Sequence, residues 1–159
     1  MSQTGIVNVA ASGQTVNATQ VQGNQTGAAP AAGFIGEQIR SYVSSQSIIT
    51  ATPTNVTNIS LTPGVWDISV VFQSADSAAV ITFAAAAATT ASATFGSANL
   101  GDNYAEFSTS SALQNDIFIS IPAYRALVAT TTTYNLVGQM NAASGTLTVS
   151  ARISATRVG

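Results

Sequence analysis

Asn55-Val56-Thr57-Asn58-Ile59-Ser60-Leu61-Thr62-Pro63-Gly64-Val65-Trp66-Asp67-Ile68-Ser69-Val70-Val71-Phe72 decides the fold class. It reads as strand, Pro-Gly turn, strand. Trp66, Ile68, Val70 and Phe72 fall on one face, with Asp67 and Ser69 on the other. Period two over this length marks a half-buried strand, and these four side chains are the expected core signature. Pro63-Gly64 suits a type II turn, in which proline presets φ and glycine accepts a positive φ.

The same alternation recurs on either side. Val56 to Leu61 and Val80 to Ala84 read as short strands, as does Ile48 to Ala51. Phe34 to Val43 is the expected first strand, although Ile35, Ile39 and Val43 also fit helical spacing. Ala84 to Ala88 is open: alanine favours helix, but five residues cannot sustain one. The alternative is a strand whose small side chains let another layer approach. Residues 89–116 read as loop-rich, with turn signals at Gly96, Gly101, Asp102 and Asn103. Ile117 to Ile121 alternates and Pro122 is expected to end it, with Tyr124 to Ala129 following. Tyr134, Leu136, Gly138 and Met140 share a face. After a turn at 141–145, Leu147, Val149, Ala151, Ile153 and Ala155 point inward. Thr148, Ser150, Arg152 and Ser154 then point outward. Eight to ten short strands without a convincing long helix imply an all-β chain. The natural solution is an antiparallel β-sandwich, jelly-roll-like, preceded by an extended N-terminal arm.

The arm is residues 1–33, and the sandwich domain is 34–159. Ser2 to Gly33 holds no aromatic residue and no charge. Such a segment cannot order itself by core burial, because ordering costs on the order of 1–2 kcal/mol per residue. Something must hold it. Its sizeable apolar anchors are Ile6, Val7, Val9, Val16 and Val21. Ile6 to Val9 and Thr15 to Ala18 suit short strands added to a neighbouring sheet; an arm folded back on its own domain is the other option.

Composition excludes much chemistry. The 159 residues include no cysteine and no histidine, and the four basic residues are Arg40, Arg125, Arg152 and Arg157. A Ser-His or Cys-His nucleophile cannot be built, nor can a zinc site of the usual Cys/His type. There is no lysine for a Schiff base or a P-loop. A net charge of −2 with four scattered arginines argues against nucleic acid as a partner. No stretch has the continuity of a membrane span, so no membrane partner is expected. Met1 to Gly5 lacks the basic and apolar regions of a signal peptide, so nothing here directs secretion.

The charged fraction is 6%, against about 25% in an ordinary domain. Soluble monomers normally keep charge on surfaces and sheet edges to prevent association. Much of this surface is therefore expected to pack against other subunits.

The remaining chemistry is thin. The acids are Glu37, Asp67, Asp76, Asp102, Glu106 and Asp116. A glycosidase needs two carboxylates flanking one bond, and no pair is brought together by spacing. Asp67, beside core-facing Trp66, is expected to bind an arginine or a backbone N–H. Asp102-Asn103-Tyr104-Ala105-Glu106 offers oxygen ligands for calcium. Two acids are too few and the spacing is not that of an EF-hand, so a polar turn is expected. No enzyme activity, cofactor or metal is expected. Tyr42, Tyr104 and Tyr124 suit either subunit contacts or a sugar platform. The sequons at Asn17, Asn24, Asn55 and Asn58 need a glycosylating secretory route to matter.

Three stretches carry a resemblance to a known family. Gly36-Glu37 followed by Ile39 opens the domain. Asn55 to Gly64 followed by Trp66-Asp67-Ile68 is the most specific. Tyr134-Asn135-Leu136-Val137-Gly138-Gln139 and Ser150 to Val158 read as a closing hairpin. Over about three quarters of its length the chain resembles small β-sandwich domains of tailed-bacteriophage virion proteins. It departs at Val65, where an acidic or polar residue often precedes the tryptophan, and at Thr156, where a second arginine often precedes Arg157. Residues 89–116 match nothing in the pattern. The resemblance implies a trimeric, jelly-roll-like domain on a virion surface. It leaves two roles open. One is a capsid decoration (cement) protein on the outer capsid surface, a homotrimer whose partner is the major capsid protein. The other is a head or tail fibre tip that recognises host surface glycans, through 89–116. Under the first role, deleting residues 2–33 should leave a folded trimer that no longer decorates capsids.

Overall fold

The structure is a computed structural model that describes residues 30–74, 80–113, 117–142 and 147–159. Among these residues there is no helix, and eight strands form two sheets. They are β1 (Gln38–Ser47), β2 (Thr54–Leu61), β3 (Gly64–Ser74), β4 (Ile81–Thr89), β5 (Tyr104–Leu113), β6 (Phe118–Val128), β7 (Thr132–Ala142) and β8 (Thr148–Arg157).

The pairing is nested. β1 pairs with β8, β2 with β7, β3 with β6 and β4 with β5, all antiparallel. That is one long hairpin, bent between β4 and β5. β3 also pairs with β8, and β4 with β7. These lateral pairs roll the hairpin into two sheets of order β1-β8-β3-β6 and β2-β7-β4-β5. The two Greek keys of a jelly roll follow from this single roll.

β3 lies between β8 and β6, and its alternation buries one face on the core. Trp66, Ile68, Val70 and Phe72 are at most 1% exposed. Across the sandwich they face Leu61, Ile81, Leu136 and Met140, with Ile153 beside them on β8. Burying one such side chain is worth about 1.5–3 kcal/mol.

Gly138 of β7 is required by this packing. A Cβ there would lie 2.3 Å from Phe72 Cε2. Gly138→Ala forces the ring to move, at roughly 1–3 kcal/mol. For a domain of this size the melting temperature should fall by on the order of 2–10 °C. A thermal melt followed by circular dichroism checks this; an unchanged midpoint would mean that Phe72 has room to spare.

The Ala84 to Ala88 run is strand. All five alanines are 0% exposed. Ala84, Ala86 and Ala88 face the core, while Ala85 and Ala87 lie on the opposite face of the sheet. Beside that face the 90–103 connection is tied down. Asn55 donates to Ser92 Oγ at 2.8 Å and accepts from the Ala93 N–H at 2.7 Å. Asn135 donates to the Ala91 carbonyl at 3.0 Å, and Asn103 to the Ala88 carbonyl at 2.9 Å. The small side chains leave room for this third layer.

The structure corrects several local expectations. The first strand starts at Gln38, because Ala31–Glu37 is consumed by turns. Ile48 to Ala51 is not a strand, although Ile48 still donates to the Leu147 carbonyl at 3.0 Å. Pro122 does not end its strand. β6 is an edge strand, where a missing N–H costs nothing, and a register shift opposite Ile68 and Val70 absorbs the ring. Part of 89–116 is strand, since β5 runs from Tyr104 to Leu113. Pro63-Gly64 carries the chain from one sheet to the other. Gly64 has φ +151°, well beyond the value of about +80° in a type II turn. The closing hairpin is not one, because β7 and β8 belong to different sheets. The turn expected at 141–145 lies largely outside the described residues.

Candidate functional site

The anchors Ile6, Val7, Val9, Val16 and Val21 lie outside the described residues. What the structure provides is the root, residues 30–37, which lead from that segment into β1. Gly36 N–H donates to the Arg157 carbonyl at 2.8 Å, and Arg157 N–H to the Glu37 carbonyl at 2.9 Å. These two bonds dock the approach to β1 against the end of β8.

Arg157 is the centre of this root. Its side chain is 6% exposed and that of Glu37 10%. Arg157 Nε donates to Glu37 Oε2 at 2.9 Å and Nη1 to the Pro63 carbonyl at 2.7 Å. Nη2 donates to the Thr62 hydroxyl. The guanidinium lies 4.3 Å from the centre of the Trp66 ring, a cation–π contact. Trp66 Nε1 donates to the Thr62 carbonyl at 2.9 Å. Glu37 Oε2 also accepts the Gly33 N–H at 2.8 Å. Gly64 is glycine because a Cβ there would lie 2.0 Å from Arg157 Nη1. Each polar group in this cluster has a partner, which is the condition for burying an ion pair.

The Gly33 N–H and then Arg157 hold the Glu37 carboxyl below the usual carboxylate range, outweighing burial, which opposes them. The folded pKa is thus lower than the unfolded one. The contribution is whole above the unfolded value and is lost as pH falls through the folded value. Between about pH 5 and pH 3, spanning the ordinary Glu range, the wild type should lose thermal stability more steeply than Glu37→Gln. Parallel melting curves across that range check it, and equal slopes would contradict it.

The root also presents apolar surface. Phe34 is 66% exposed and Ile35 is 71% exposed. A second apolar area lies on the outer face of the β1-β8-β3-β6 sheet. Tyr42 of β1 is 64% exposed and Phe118 of β6 is 62% exposed. They line a shallow groove of about 310 Å³ with Val71, Gln73, Ser150 and Arg152.

The other candidates do not assemble. Asp67 is bound by Arg125 in a bidentate pair, at 2.9 and 3.0 Å, as its position beside Trp66 suggested. Tyr104 donates to Glu106 Oε2 at 2.5 Å and packs edge-on against Phe95. Burial, then Glu106, push its hydroxyl up to about 12. Tyr124 donates to the Ala88 carbonyl at 3.2 Å. Tyr42 stands on a different sheet from Tyr104, so the three tyrosines form no common platform. Asp76 and Asp116 lie outside the described residues. Among the described residues no three acidic side chains come together as a metal site.

The Glu37–Arg157 cluster was not singled out from composition or spacing. A signal was present. Leu147, Val149, Ala151, Ile153 and Ala155 set the inward phase of β8, and the next inward position is Arg157. An arginine in a core phase demands a buried carboxylate, and Glu37 is the acid nearest the start of β1.

No protein family and no curated protein matches the chain. Among solved structures the chain is similar to the cyanophage Pam1 capsid asymmetric unit. The identity is 19%, covering 90% of this chain and 99% of that one, with a TM-score of 0.34. It is also similar to the structure of infectious bursal disease virus Gx strain. There the identity is 8%, covering 88% of this chain and 38% of that one, with a TM-score of 0.37.

Proposed function

We propose that this protein is a structural component of a virus particle, namely a decoration (cement) protein of a phage head. Trimers sit on the outer capsid surface, and the arm 1–33 attaches them to the major capsid protein. The observation that carries this reading is the combination of few charges with large exposed apolar groups. Only 6% of residues are charged. Phe34 and Ile35 stand out at the arm root, and Tyr42 and Phe118 on the outer sheet face. A free domain with such a surface is prone to associate. Permanent neighbours remove that liability by covering it. The resemblance of Asn55–Ile68 and Ser150–Val158 to phage virion domains points to a capsid as the setting.

No reaction is involved. A protein that binds only the mature, expanded shell stabilises that shell by mass action, by about 2.7 kcal/mol per site at a free concentration of 100 Kd. Three arms per trimer make attachment multivalent, so individually weak anchors suffice.

Co-sedimentation of the purified protein with undecorated, expanded heads tests the reading, run beside the same assay with host cells. Saturation in a fixed ratio to capsid subunits is the expected result. Binding to cells and not to heads would overturn it in favour of a fibre tip that recognises host glycans.

A further inference from the structure

The charges of the described residues sort into three groups. Glu37 is neutralised by Arg157, and Asp67 by Arg125. The two remaining cations, Arg40 and Arg152, are both exposed and both on the outer face of the β1-β8 pair. Arg40 is paired in register with Ser154, and Tyr42 with Arg152, so the two arginines are diagonal neighbours. They line one shallow groove together with Gln38, Ser154 and Thr156. Among the described residues no carboxylate reaches either of them; Arg40 has only a long contact to Gln38 Oε1, at 3.5 Å.

The two remaining anions are on the opposite flank. Asp102 precedes β5 and Glu106 lies on it, both exposed. β5 is the far edge of its sheet, whereas β1 is the near edge of the other; β1 packs over β2, and β5 beside β6. Neither Asp102 nor Glu106 forms an ion pair among the described residues; the arginine nearest Asp102, Arg125 in the same groove, is held by Asp67. Each flank also carries an exposed apolar group. Tyr42 stands beside Arg152, and Leu100, 70% exposed, stands near Asp102.

Among the described residues, this segregation gives two complementary flanks. Residues 1–33 carry no charged side chain, so the arm cannot neutralise either one. We infer that the Arg40/Arg152 face is the seat for the Asp102/Glu106 flank of a second copy of this chain. The contact is head-to-tail. Repeated with rotation it closes a ring, in which each copy gives one flank and receives the other. Opposed exposed charges set register and partner choice, while Tyr42 and Leu100 bury area. This deepens the proposed trimer by naming its contacting faces, and it does not depend on a capsid being the target.

Sedimentation equilibrium of the full chain tests the inference without phage heads. The wild type should self-associate, less strongly at high salt, because the exposed charges are screened. Arg40→Glu with Arg152→Glu sets like charges opposite each other and should weaken association roughly 100-fold or more. Asp102→Arg with Glu106→Arg should do the same. The four changes in one chain reverse both flanks and should restore association. Near-ultraviolet circular dichroism of Trp66 reports that each variant is folded. A wild type that is monomeric throughout would overturn the inference. So would an R40E/R152E protein that assembles like the wild type, or a folded four-fold variant that stays monomeric. A monomeric wild type that binds an anionic polysaccharide through Arg152 would also overturn it, in favour of a glycan seat. Failure to bind heads, with ring formation intact, would count against the decoration role alone.

Discussion

Arg157→Met should lower the stability of the domain by about 3–5 kcal/mol, the usual cost of removing one partner of a buried ion pair. Methionine matches the length of the arginine stem but leaves Glu37 without its cation. Glu37 keeps the Gly33 N–H, while the Pro63 carbonyl and Thr62 hydroxyl lose their donors. The Trp66 ring also loses the guanidinium lying 4.3 Å from its centre. Since whole domains are stable by only about 5–15 kcal/mol, the melting temperature should drop on the order of 10 °C. Glu37→Gln combined with Arg157→Met should recover part of the loss, because a neutral amide replaces the stranded carboxylate. The Asp67–Arg125 pair is the internal control. Its arginine side chain is 63% exposed, and Arg125→Ala should leave the melting temperature within error. If both arginine variants melt alike, the root is not held by Arg157.

Removing residues 2–29 should abolish attachment to expanded heads while leaving a folded domain of unchanged oligomeric state. The cut falls before Pro30, so the Gly33–Glu37–Arg157 cluster remains intact. The eight strands all lie after it. Circular dichroism and sedimentation should therefore match the full chain. Attachment is another matter. If each arm binds weakly and three act together, losing them forfeits an avidity of roughly 10²–10⁴. Co-sedimentation with heads reads this directly. Full occupancy by the truncated protein would sink the arm hypothesis and move attachment to the domain itself, with Phe34 and Ile35 as the first surface to test.

Where the core alternates with period two, the sequence was enough to read the fold. β3 and β8 came through almost residue by residue, because Trp66 to Phe72 and Leu147 to Ala155 each face one buried layer. β5 did not. Its sequence, Tyr-Ala-Glu-Phe-Ser-Thr-Ser-Ser-Ala-Leu, has small polar residues where a strand signal needs large apolar ones. What makes it a strand is its partner: Ala84 to Ala87 pair with Tyr104 to Phe107. Pro122 misled for a related reason, since its effect depends on whether the strand is central or at an edge, and that is a tertiary fact. The sheet crossing at Pro63-Gly64 was equally invisible, because a turn between paired strands and an arch between sheets use the same residues. Of the candidate site, the exposed tyrosine Tyr42 was named, but its groove with Phe118 depends on strand order. Arg40 and Arg152 were read as scattered, and only the β1–β8 register makes them neighbours.

The pairing of β1 with β8 sets where a passenger could be displayed. Gly36 bonds to Arg157, and the Gly159 carbonyl accepts from Val65, so residue 36 and the last residue lie at the same end of the sandwich. Under the proposed attachment through residues 1–33, a cargo fused after Gly159 would therefore lie on the capsid-facing side. Ser74 of β3, Ile81 of β4, Ala142 of β7 and Thr148 of β8 lie at the opposite end. If the proposed attachment through residues 1–33 holds, particles carrying a peptide inserted between Ser74 and Ile81 should bind an antibody that ignores the same peptide placed after Gly159.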